Sequence, residues 1–96
     1  MLFAAIYTPH SVTEEAQKRS LQLFMNWTPP FEFKAHYALC DGSGGLVIAE
    51  ASTTAALLEA HAPWAPFFDF VTTPVMAIEA AVPIFQRVND WRDSIK

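Results

Sequence analysis

An α+β fold in the order β-α-β-β-α-β, followed by one further helix, is what this 96-residue sequence predicts. Three observations carry that prediction. Two short apolar runs closed by proline, Leu2 to Thr8 before Pro9 and Phe67 to Thr73 before Pro74, read as strands. A third run, Phe31 to Cys40, alternates and returns through Asp41-Gly42-Ser43-Gly44-Gly45 into Leu46 to Ala51, which reads as a hairpin. Two segments with apolar residues at helical spacing lie between these strands. The resulting order is the split βαβ pattern of ferredoxin-like domains, and at this length residues 1–96 form a single domain.

Each element follows from its own chemistry. Ser11-Val12-Thr13-Glu14 has capping-box spacing, and Ala16, Ser20, Leu23, Phe24 and Trp27 form a stripe behind it. The spacing predicts a helix from Val12 to Asn26, stopped by Thr28-Pro29-Pro30. In the second strand Phe31, Phe33, Ala35, Tyr37 and Leu39 fall on one face, opposite Glu32, Lys34, His36 and Cys40. Ser52 or Thr53 caps a second helix carrying Leu57, Leu58, His61 and Trp64 on one side, and Pro63 ends it. Ile84, Val88, Trp91 and Ile95 line a C-terminal helix, with Pro83 either at its first position or kinking a helix that begins near Met76.

Composition restricts the function classes. The chain is 52% hydrophobic and 17% charged, against about 25% charged in ordinary domains. So much apolar side chain on so small a domain predicts that part of its surface is an interface. In a ferredoxin-like sheet both crossover helices cover one face. Yet Leu2 to Tyr7 and Leu46 to Ala49 are apolar on both faces, so the second face needs a cover. A second copy is the simplest one, giving a homodimer in which two sheets form a dimeric α+β barrel. A net charge of −4 with scattered Lys and Arg argues against nucleic acid as a partner. No run approaches the ~18 apolar residues of a membrane span, and the N-terminus lacks a basic leader region. With Cys40 as the single cysteine, the expectation is a cytoplasmic protein without a membrane partner.

MLFAAIYT, GSGGLVIAEA and HAPWAPFFDFVTTPVM, the last with its Pro74-Val75 pair, resemble a family of unknown function within the dimeric α+β barrel superfamily. The resemblance covers residues 1–76 and rests on spacing and strand texture. It implies ferredoxin-like subunits in a homodimer, and it carries no established reaction or catalytic residue. The superfamily includes cofactor-free monooxygenases, cyclases, isomerases and haem-handling enzymes, so the likeness implies a pocket for an apolar small molecule.

Among residues able to carry chemistry, His36 and Glu50 stand first. A three-residue turn Gly42-Ser43-Gly44 pairs Asp41 with Gly45 and sets His36 directly opposite Glu50. A carboxylate beside an imidazole suits a catalytic base or a metal ligand; the plainer reading is a solvated cross-strand pair. His61 and Trp64 are candidate ligand-binding residues at the end of the second helix, although a satisfied histidine and a core plug are the plainer readings of the sequence. Tyr37, with Tyr7, is a candidate hydroxyl donor in a pocket. No metal-ligand spacing joins His10, His36 and His61, no phosphate loop is present, and no cofactor is expected. The expected function is binding of a small apolar molecule, with cofactor-independent acid/base or oxygenase-type chemistry. The alternatives are a non-catalytic structural or regulatory dimer, or a metal-binding protein using His36 or His61 with Glu50.

Overall fold

The two strands that are apolar on both faces are the inner pair of the sheet. In the computed structural model, which describes Met1–Lys96, the elements are β1 (Leu2–Pro9), α1 (Glu14–Met25), β2 (Phe33–Ala38), β3 (Gly45–Glu50), α2 (Thr54–His61) with a 3-10 turn Ala62–Trp64, β4 (Phe68–Pro74) and α3 (Ile78–Ser94). The strands form one sheet in the order β2-β3-β1-β4, antiparallel throughout. The fold is α+β, as the sequence predicts. No helix is long and apolar enough to cross a membrane.

The helix boundaries differ from the sequence reading in instructive ways. Thr13, not Ser11, caps α1: its backbone is extended and its Oγ1 accepts from the Ala16 N–H at 3.2 Å. Glu14 and Glu15 then occupy the first turn, where the helix dipole favours negative charge. Thr53 caps α2 through the Ala56 N–H at 3.0 Å. Pro63 ends α2 by tightening it into the 3-10 turn, while Ala62 itself keeps helical angles. Pro83 sits inside α3, which runs on through it.

Alternation divides the sheet into two faces. Phe3, Ala5, Val47, Ala49 and Ala51 are buried on the face carrying α1 and α2 and form the core cluster, with Tyr7, Phe31, Phe33 and Leu57 packed against it. The other face presents Ala4, Ile6, Ala35, Tyr37, Leu46, Ile48 and Val71, and of these Ile6 is 47%, Tyr37 62% and Val71 67% exposed. Helix α3 buries only Ala81, leaving Ile78, Phe85 and Trp91 in the open, and the molecule extends over 59 × 28 × 19 Å.

The β2–β3 register corrects the sequence reading. Ala38, not Asp41, pairs with Gly45; Leu39 N–H donates to Gly44 O at 2.9 Å, and Gly42 N–H closes the turn on Leu39 O at 3.0 Å. The pairing also slips between Phe33 and Ala35, where the extra residue of a β-bulge shifts the alternation by one. Phe33 opposes Ala49 and His36 opposes Val47, so both project toward the helices, while Tyr37 opposes Leu46 and points to the other face.

Candidate functional site

A concave space opens between the sheet and its two helices because of where bulk sits. The sheet contributes the small side chains Ala5 and Val47, α2 contributes Ala60, and α1 contributes Ser20 and Leu21 above them. The rim is aromatic. Phe24 in the last turn of α1 and Trp27 just beyond it meet Trp64 of the 3-10 turn, with ring centroids 6.2 and 5.1 Å away, and Phe33, Phe68 and Phe70 stand on the flanking strands. Large rings at the edge and alanines in the middle hold α1 off the sheet, and no α1 residue is fully buried. The cavity left behind has a volume of ≈ 280 Å³ and is lined by 16 residues, 13 of them hydrophobic. That places it at the small end of ligand pockets, which run from about 300 Å³ upward. No lining residue is Asp, Glu, Lys or Arg.

Its polar groups are few and specific. Tyr7 Oη and His36 Nε2 share a hydrogen bond of 2.6 Å. Burial holds the Tyr7 phenol above its usual range and the His36 imidazole below its usual 6.5, so both partners are kept neutral. The His36 ring is flanked edge-on by Phe24 and Phe33, at 5.7 and 5.6 Å between centroids. His61 is the other histidine on the cavity wall. Its Nδ1 lies 2.8 Å from Leu57 O, and because a carbonyl only accepts, Nδ1 carries the proton. In that Nδ1–H tautomer Nε2 accepts from the Thr72 hydroxyl at 2.7 Å, which ties α2 to β4. Both nitrogens of His61 are thus engaged, whereas only Nε2 of His36 has a partner within the chain.

His36, His61 and Trp64 therefore come together around one cavity, while Glu50 and Tyr37 stand apart from it. Glu50 pairs with Leu2 of β1 on the opposite face, where its carboxylate meets Lys34 Nζ at 3.3 Å and the terminal amino group at 4.0 Å. The expected His36–Glu50 pair is not formed, because the turn closes on Ala38–Gly45 and the bulge turns His36 over. Tyr37 fails as a cavity wall for the same reason. With Glu50 on the other face, the pairing of His36 or His61 with Glu50 as metal ligands loses its carboxylate, and no three His, Cys, Asp or Glu side chains gather in a metal-holding cluster.

The partner that sequence reasoning ranked too low is Tyr7. Its cross-strand neighbour is Gly45, and a Cβ built at that position would overlap the phenol. The glycine leaves a gap on β3 over which a tyrosine of β1 reaches to β2. Phe24 of α1, Trp27 just after it and Thr72, the partner of His61, are absent from the site that the sequence predicts. In the sequence Phe24 and Trp27 belong to the helical stripe Ala16, Ser20, Leu23, Phe24 and Trp27, whose spacing signals a packed helix face and not a ligand.

The fold and site define an α+β protein whose one aromatic, uncharged cavity holds a tyrosine–histidine pair. The chain belongs to the family described as domain of unknown function (DUF3303), whose model matches residues 1–89. That match extends beyond the 76 residues of the sequence resemblance and takes in most of α3. No curated protein and no solved structure matches the chain.

Proposed function

We propose that this protein binds a small, mostly apolar molecule in the cavity between sheet and helices, and that it does so as a homodimeric α+β barrel of ferredoxin-like subunits. The observation that carries the binding reading is an open aromatic cavity without formal charge whose wall holds the Tyr7–His36 hydrogen bond. A purely structural dimer has no need of empty volume beside two histidines, since close packing is the default of protein interiors.

Strand order and surface support the dimer. The order β2-β3-β1-β4, with α1 and α2 on one face, supports reading the chain as a ferredoxin-like subunit. The chain exposes 7254 Å², whereas a compact monomer of its mass exposes about 5,500 Å². An excess of that size is what a homodimer interface takes from each partner. The radius of gyration of 17.6 Å likewise exceeds the ~12.5 Å of a compact chain of this length. The Ile6, Ile48 and Val71 face and the open stripe of α3 are the apolar surfaces a second copy would cover.

The chemistry this site can perform is proton movement. A neutral imidazole bonded to a neutral phenol accepts a proton from a ligand at one atom and returns it at another, without a cofactor. Tyr7 takes the part that the sequence gave to Glu50.

Native mass spectrometry of gently purified protein tests the binding reading, with Ala60→Phe as the cavity-filled control. The expected result is an extra small mass on the wild type, or a raised melting temperature with apolar probes, absent in the variant. A clean wild type that no apolar probe stabilises more than Ala60→Phe contradicts it.

A further inference from the structure

The geometry points to an uncharged, planar, two-ring aromatic bearing a single hydroxyl or carbonyl group as the ligand class of this cavity, with that polar group seated on the Tyr7–His36 pair. The inference rests on the binding reading above and narrows it by size, shape, charge and polar group.

Size comes from volume. An engineered apolar cavity of about 150 Å³ takes up a benzene molecule. The present cavity, ≈ 280 Å³, is nearly twice that and matches two fused rings. Shape comes from the walls: more than half of the lining residues are Phe, Tyr or Trp. Trp27, Trp64 and Phe24 offer ring faces and edges on the helix side, with Phe68 and Phe70 on the sheet side. Flat aromatic ligands gain offset-stacked and edge contacts there that a flexible chain does not.

Charge is decided by what the wall lacks. With no Lys, Arg, Asp or Glu in the lining, an ionised ligand would leave water with no compensating partner, a loss that apolar contact does not offset. The polar group follows from the two tautomers of the pair. When Tyr7 donates to Nε2 of His36, the phenol oxygen keeps a lone pair free to accept from a ligand hydroxyl. When Nε2–H donates to Tyr7, the phenol proton is free to donate to a ligand carbonyl. Ser20 and His61 do not compete for this role, since the Ser20 hydroxyl donates to Gln17 O and both His61 nitrogens are engaged.

Titrations with 2-naphthol, naphthalene, 2-naphthoate, phenol and decanol test this. Binding is read from Trp27 and Trp64 fluorescence in a Trp91→Phe background and repeated in Tyr7→Phe. 2-Naphthol is expected to bind most tightly, about tenfold better than naphthalene, one hydrogen bond's worth of discrimination. Tyr7→Phe should bring 2-naphthol down to the naphthalene level and leave naphthalene unchanged, which also reports that the variant is folded. Equal or tighter binding of 2-naphthoate, a preference for phenol or decanol, or no effect of Tyr7→Phe overturns the ligand class while leaving an apolar site in place. No binding of any probe overturns the ligand class and the binding reading together.

Discussion

The Tyr7 phenol passes over Gly45 and ends 2.6 Å from His36 Nε2, two strands away from its own backbone. Adjacent strands lie about 4.8 Å apart, so any side chain at position 45 would stand in its path. Gly45→Ala should therefore displace the phenol and cost about 1–3 kcal/mol, the usual range for overpacking. Tyr7→Phe alone should cost about 0.5–1.5 kcal/mol for the lost hydrogen bond. In the Gly45→Ala background Tyr7→Phe should cost nothing further, and urea denaturation of the four proteins measures this non-additivity.

His36 makes the fold acid-sensitive. Desolvation lowers its pKa in the folded chain below the 6.5 of the unfolded one, so between those two values the unfolded state binds more protons. The stabilisation is complete above pH 6.5 and is lost as pH falls through the folded value. His36→Phe should flatten this part of the stability–pH curve, read by urea unfolding between pH 5 and 7, alongside an NMR titration of the His36 ring.

Thr72 holds His61 and through it the end of α2. Thr72→Val keeps the shape but leaves Nε2 without its donor, at a cost of about 1 kcal/mol. Amide hydrogen exchange should quicken in α2 and stay unchanged in β2 and β3.

In the proposed homodimer the exposed face holding Ile6 and Val71 is the subunit interface. Ile6→Lys with Val71→Lys should change an isolated subunit's stability little, since both side chains are exposed within it. The same pair should convert a dimer into a monomer in sedimentation. A wild type that already sediments as a monomer contradicts the barrel.

The sequence carried the element order because prolines, the hairpin glycines and two helical stripes each act locally. It carried His61 and Trp64 to the cavity because α2 runs to His61 and the 3-10 turn Ala62–Trp64 continues directly from it. It misplaced His36 because a bulge at Lys34 and Ala35 reverses every later side chain, and the Phe31 to Leu39 alternation reads perfectly well without one. The one local trace of the true arrangement was Gly45, spent in the sequence reading on turn chemistry, whereas the positive φ values belong to Gly42 and Gly44. Position 45 is glycine for Tyr7, a long-range reason invisible along the chain. The stripe of α3 was equally legible, and within the chain α3 buries only Ala81.

The most direct test is an isotope-filtered NOE spectrum of 2-naphthol bound to the labelled protein. The expected cross-peaks run to His36, Val47 and Phe3 inside the cavity, and they should weaken with Tyr7→Phe. Cross-peaks to Ile6, Ile48 and Val71, or to the α3 residues Phe85 and Trp91, would place the ligand on an apolar outer face and contradict the cavity as the site.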